Sequence, residues 1–159
     1  MKQEDYQLDI IDKNIIQMLM DSGKTPLALI ADKVGISTTG VHQRVKKMEQ
    51  AGVIETSVAL LNPRRIGYKV SAFVGVYISQ PDKTQSIINL LREIEEVVEV
   101  HYVTGSYTLL LKLVCIDNDH LMDVLNSVQV LEGVRRTETL ISLGQEINRQ
   151  LKVVSEKWK

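Results

Sequence analysis

The chain has 159 residues, 44% of them apolar and 25% charged, with a net charge of −1 and a single cysteine. That is the composition of a folded globular chain rather than a disordered one, and its near-neutral charge excludes binding nucleic acid with the whole surface. No apolar run approaches the roughly 20 residues that span a bilayer. The polar, acidic start MKQEDYQLDI lacks a signal-peptide segment and Cys115 has no internal partner, so a cytoplasmic address is expected.

In chain order, Asp9 is placed to cap a first helix whose inward stripe is Leu8, Ile11, Ile15, Met18 and Leu19, with Gly23 ending it. Thr25-Pro26 opens a second helix, proline standing where its missing N–H costs nothing, and Leu27, Ile30, Ala31 and Val34 face inward. Gly35 then turns the chain into GISTTGVHQRVKKMEQAGVI, a third helix with Ser37 as N-cap and Gly52 at its end. Val41, Val45 and Met48 make its buried stripe. Thr39, Gln43, Lys46, Lys47 and Gln50 occupy the opposite face, with Thr38 and His42 beside them.

Three short helices with a tight turn between the last two form a helix-turn-helix pattern. In such a unit the start of the last helix enters the major groove. Thr38, Thr39, His42 and Gln43 would then reach base edges, since Gln pairs bidentately with adenine and Thr offers a hydroxyl or a methyl. Ser37, Arg44, Lys46 and Lys47 would meet phosphates, which raises affinity in a salt-dependent way without reading sequence. The competing reading is a solvated face on a three-helix packing module. Three cations against one anion between Ser37 and Ala51, followed by Arg64 and Arg65, make a local basic patch compatible with either.

After Gly52, VIETSVALLNP reads as extended structure, a small wing that closes a first domain over residues 1–62. Residues 63–69, broken by Pro63 and carrying two arginines, read as a linker. A second domain follows over 70–159. Val70, Ala72, Val74, Val76 and Ile78 alternate as a strand ended by Pro81. Asp82 and Gln85 have capping-box spacing ahead of a helix on Ile87, Leu90, Leu91 and Ile94. Val97–Thr104 and Tyr107–Ile116 read as strands around a two-residue turn at Gly105-Ser106. Asp117 or Asn118 caps a helix on Leu121, Val124, Leu125 and Val128, and Val134–Leu143 is a fourth strand.

The order is βαββαβ, a ferredoxin-like sandwich, so the fold class is α+β. Two helices cover one face of its sheet. The other face, with Phe73 and Tyr77, needs a cover, and a second subunit is expected to supply it. Tyr68 and Tyr77 would suit that contact or any half-exposed strand. Ile147, Leu151, Val154 and Trp158 fall at helical spacing, so a tail helix is expected to dock on the same assembly. Cys115, among apolar neighbours, reads as core. His42, His101 and His120 are scattered, no Cys/His spacing suggests a metal, and neither a phosphate-binding loop nor a nucleophile elbow occurs; catalytic and metal residues are therefore expected to be absent, as are cofactors.

Four segments in order, LDIIDKNIIQMLMDSGKTPLALIADKVGIST, RVKKMEQAGVIE, LLNPRRIGYKVSAFV and HYVTGSYTLLLKL, resemble the Lrp/AsnC family of feast-or-famine transcription regulators, from about Leu8 to Leu143. The resemblance implies a DNA-binding N-terminal domain, a C-terminal domain that dimerises and often binds an amino acid, and dimers that associate further, commonly into octamers. Family members with amino-acid effectors usually carry G-D-Y-D at the hairpin between the second and third strands. This chain has Gly105, Ser106, Tyr107 and Thr108 there, so both acidic positions are uncharged. The candidate effector residues are Thr104, Gly105, Ser106, Tyr107 and Thr108, with Thr137 and Thr139 on the last strand; alternatively Gly105-Ser106 is a plain turn. The reading is a cytoplasmic, sequence-specific regulator of transcription acting on double-stranded DNA as a dimer or multiple of dimers, open to an amino-acid effector. The alternative is a small-molecule sensor acting on a protein partner, with an enzyme third.

Overall fold

The computed structural model describes residues 6–55, 59–149, 151 and 153. The chain divides into two units, Met1–Ala59 together with Ile147–Lys159, and Leu60–Glu146.

The first unit is built from α1 (Ile10–Asp21), α2 (Leu27–Val34) and α3 (Thr38–Gln50). Asp9 caps α1 reciprocally: its carboxylate accepts the Asp12 N–H at 2.7 Å, and the Asp12 carboxylate accepts the Asp9 N–H at 3.2 Å. Pro26 stands one position earlier than expected. Its carbonyl receives the N–H groups of Leu29 and Ile30, which makes it the N-cap of α2 rather than its first residue. Between α2 and α3 the N–H groups of Gly35 and Ile36 both donate to the Ala31 carbonyl, and Gly35 adopts φ +74°, the left-handed conformation that side chains disfavour. Ser37 Oγ then accepts the Gly40 N–H and starts α3. Ile15, Ile16, Ile30, Ala31, Val41 and Met48 are buried at the centre. Each of the larger ones contributes roughly 1.5–3 kcal/mol by leaving water.

The second unit contains β1 (Val70–Ile78), α4 (Thr84–Leu91), β2 (Val97–Tyr102), β3 (Leu109–Cys115), α5 (Asn118–Gln129) and β4 (Val134–Ile141). The strands form one antiparallel sheet in the order β2-β3-β1-β4, the ferredoxin-like arrangement. Ala72, Val74 and Val76 of β1 and Leu109, Leu111, Leu113 and Cys115 of β3 bury one face against Ile87 and Leu91 of α4 and Leu121, Val124 and Val128 of α5. The Cys115 thiol belongs to that core, and burial pushes its pKa up. Phe73, Gly75 and Tyr77 alternate onto the other face, which neither α4 nor α5 covers. Phe73 and its cross-strand neighbour Leu140 are exposed there. On the same face Lys112, opposite Phe73, is paired with Glu99 at 2.7 Å, which holds the Glu99 carboxyl below the usual range.

Several local expectations change. Pro81 starts a short 3₁₀ turn through Lys83, so α4 begins at Thr84 with Lys83 as an uncapped N-cap, and Asp82 is drawn into the turn instead of forming a box with Gln85. The connection from β2 to β3 is longer than a two-residue turn. The Val103 N–H donates to the Thr108 carbonyl and the Thr108 N–H to the Val76 carbonyl, leaving 104–107 as a four-residue loop. Where a linker is expected over 63–69, Pro63–Ile66 is a 3₁₀ turn capped by Asn62, and the Lys69 N–H donates to the carbonyls of Cys115 and Ile116. In the expected wing, 56–58 lie outside the described residues, and the described positions on either side form no strand. The expected tail helix is not formed at Ile147 or Leu151, which are exposed and non-helical; Val154 and Trp158 lie outside the described residues. Among the described tail residues, Val153 packs against the helical core. Among the described residues no helix is long and apolar enough to cross a membrane.

Candidate nucleic-acid interface and effector site

Helix geometry decides what α3 shows to solvent. At 3.6 residues per turn, Val41, Val45 and Met48 share one side, and Thr39, Gln43, Lys46, Lys47 and Gln50 the other. Val41 and Met48 are fully buried, whereas Thr38, Thr39, His42, Gln43, Lys46 and Lys47 are all exposed. None of those six is tied into a side-chain hydrogen bond or ion pair with another described residue. Ser37 sits at the head of α3, its oxygen accepting the Gly40 N–H at 3.1 Å, which leaves its own O–H available as a donor.

Arg44 is placed differently from the other cations. It lies about 60° around the helix from Val41, on the flank of the buried stripe. Its Nη1 donates to Asp9 at 2.7 Å and to Asp12 at 2.7 Å. Asp12 is 2% exposed, the one buried charged residue among those described. Both of its carboxylate oxygens are engaged: Oδ1 accepts from Arg44, and Oδ2 from Tyr6 Oη and the Asp9 N–H. The Asp9 carboxyl is held below the ordinary carboxylate range, first by the Asp12 N–H and then by Arg44. The Tyr6 phenol is pushed up by burial and then by Asp12. The signal was present in the sequence, since positions 41, 44 and 48 follow the i, i+3, i+7 stripe, but the charge of arginine argues for solvent.

The expected effector residues are divided by the sheet. Thr137 and Thr139 are paired with Val76 and Val74, so they stand on the helix-covered face, where Thr137 accepts a hydrogen bond from Gln129 of α5 at 2.8 Å. Tyr107 lies on the opposite face: its ring covers Gly75 so closely that a Cβ at that position would overlap it. Thr104, Gly105 and Ser106 are exposed in the loop, and Thr108 Oγ1 accepts from the Ile78 N–H at 3.4 Å.

Around Tyr107 the structure gathers residues that the sequence pattern did not single out together. Its ring meets Tyr77 edge to face at 5.2 Å, Arg136 lies 4.0 Å over the Tyr77 ring, and Tyr77 donates to Glu138 at 3.2 Å. Burial, then Glu138, pushes the Tyr107 phenol upward. Beside this cluster a cavity of about 350 Å³ is lined by Gln129, Val134, Arg135, Arg136 and Thr137, and a second of about 260 Å³ by Tyr77, Arg135 and Arg136. Two arginines shared by both cavities favour an anionic group such as a carboxylate. Among the described residues no group of His, Cys, Asp and Glu is arranged to hold a metal ion.

Residues 8–55 match a family profile described as a winged helix-turn-helix DNA-binding domain, and residues 71–151 one described as the Lrp/AsnC ligand binding domain. The regulatory protein AsnC of Escherichia coli (strain K12) is 35% identical over 150 residues, covering 94% of this chain and 99% of that protein. The HTH-type transcriptional regulator FL11 of Pyrococcus furiosus is 35% identical over 136 residues, with 86% and 89% covered. Among solved structures, that of E. coli AsnC superposes with a TM-score of 0.87 at 34% identity, covering 92% of this chain and 99% of that one.

Proposed function

Because the chain belongs to the Lrp/AsnC family of DNA-binding transcriptional regulators, and not to a family of enzymes, we propose that α3 is its recognition helix. The observation that carries this is the exposed, unengaged face of α3. Thr38, Thr39, His42 and Gln43 reach base edges from its first two turns, and Ser37, Lys46 and Lys47 meet phosphates. With so few cations per subunit, affinity is drawn from several subunits on one duplex. The face of the sheet that α4 and α5 leave uncovered, with Phe73 and Leu140 exposed on it, pairs two copies, and the dimers assemble further, up to an octamer. Paired recognition helices then meet half-sites about 34–36 Å apart or at a multiple of that spacing. A cytoplasmic address accords with such a DNA partner.

The sandwich takes an amino acid or a related small molecule. Its carboxylate is met by Arg135 and Arg136 beside Thr137, and the loop Thr104–Thr108 of a neighbouring copy closes over it, a division that answers the separation of Thr137 and Thr139 from Tyr107 within one chain. The effector acts through its different affinity for alternative assemblies, and so selects which half-site spacing fits.

Two experiments test the reading. Selection from a random duplex library should enrich one sequence, and binding to it should weaken with rising salt. Replacing Lys46 and Lys47 by Ala should lower the log–log salt slope by about 0.9 for each phosphate that these lysines neutralise. An unchanged slope removes α3 from the interface. A thermal-shift panel of amino acids should give one selective rise, near 2.7 kcal/mol at about 100 times the dissociation constant. That rise should vanish in Arg135→Ala; if no amino acid produces it, the effector reading fails.

A further inference from the structure

We infer that Arg44 is a positioning residue of the recognition helix, which with Asp9 and Asp12 locks α3 to α1 and sets the angle at which Thr38–Gln43 meet the bases, and that it is not a phosphate contact. The inference rests on the reading of α3 as the DNA-contacting helix.

Four observations converge on it. Arg44 is the cation of α3 that flanks the buried stripe and is partly buried, while Lys46 and Lys47 are exposed on the far side. One nitrogen, Nη1, bridges two carboxylates at 2.7 Å each. Those carboxylates belong to the N-cap and third residue of α1, where their own capping bonds already fix them, so the guanidinium is fastened to a rigid pair rather than to mobile side chains. Finally, one guanidinium against two carboxylates leaves the trio with a net charge of −1. A phosphate brought to Arg44 would have to approach both anions as well, and Coulomb repulsion opposes that.

The consequence is a division of labour along one helix. Lys46 and Lys47 supply salt-dependent attraction, and Arg44 converts the packing of three helices into a defined aim. A base contact misplaced by a small rotation of α3 loses its geometry, whereas a flexible lysine still finds a phosphate. Loosening the lock should therefore reduce discrimination between sequences far more than it reduces general attraction to DNA.

The full-length protein is tested against two probes, the duplex enriched by selection and a scrambled duplex of equal length, across a series of salt concentrations. Asp9→Asn is the mildest variant, because Asn caps a helix as well as Asp does, so folding is preserved while half the lock is removed. Asp12→Asn and Arg44→Lys complete the set, each compared at a temperature where circular dichroism shows it folded. The expected result is a fall of roughly tenfold in the ratio of selected to scrambled affinity for Asp12→Asn, comparable to removing one bidentate base pairing, with salt slopes unchanged. Asp9→Asn and Arg44→Lys should fall in the same direction by less.

Asp12→Asn is the decisive variant, because removing an anion near DNA should by charge alone tighten binding to both duplexes equally. That equal tightening would overturn the inference. So would a drop of about 0.9 in salt slope for Arg44→Ala, the signature of a neutralised phosphate. A uniform weakening on both duplexes with the ratio intact would mean that the trio supports folding only, and would overturn it too. If Lys46→Ala and Lys47→Ala also left the slope unchanged, the failure would lie in the reading of α3 itself.

Discussion

The α3 face and the Tyr107 cluster are assembled in opposite ways. On α3 the exposed residues come from one continuous segment, and local helix geometry alone sets their spacing. The Tyr107 cluster draws Gly75 and Tyr77 from β1, Tyr107 from the β2–β3 loop, and Arg136 and Glu138 from β4, so nothing short of the folded sheet brings them together. The first site should tolerate substitution with little loss of stability, since its side chains are exposed and make no side-chain hydrogen bond or ion pair with another described residue. The second should not, because its residues pack on one another.

The largest effect that would sharpen this contrast is expected for Gly75→Val. The added side chain overlaps the Tyr107 ring, so the loop must lift off the sheet. Overpacking of this kind should cost about 3 kcal/mol, seen as a lower denaturation midpoint. A variant as stable as the parent would show that the ring does not need that place. Gln43→Ala comes next and should leave the midpoint within about 0.5 kcal/mol of the parent while weakening binding to the selected duplex by about 2 kcal/mol. An equal loss on a scrambled duplex would remove Gln43 from base reading.

Ser37→Ala affects both properties in a smaller way. It removes the cap of α3 and should lower stability by about 1 kcal/mol, with the change confined to the helical unit in hydrogen exchange. The smallest effect is expected from acid. The folded chain depresses the Asp9 pKa, so the unfolded chain takes up this proton first, and the stabilisation is complete above the ordinary carboxylate value and lost as pH falls through the lower folded value. Asp9→Asn should therefore lower stability slightly across the neutral region and flatten the profile below about pH 4, so that the variant and parent curves converge in acid. A profile with the parent's slope would assign the acid limb to other carboxylates.

The same contrast explains what was legible beforehand. Both the three-helix order and the βαββαβ order follow from periodicity, because helix and strand place apolar residues at different intervals and the core selects between them. The candidate DNA-contacting residues were legible for the same reason. How the effector candidates group was not: strand pairing puts Thr137 and Thr139 on the helix-covered face and Tyr107 on the other, and a motif read along the chain does not say which face a neighbouring strand presents.

Arg44 marks the boundary most clearly. By itself the sequence determined that α3 has an apolar stripe, a polar face and a cap, since these are properties of a single segment. Only the tertiary structure decided that one of its cations is held by α1 and its cap, because the two carboxylates that hold it lie 35 and 32 residues earlier in the chain. A charge goes wherever its partners are, and long-range partners are fixed by packing rather than by spacing.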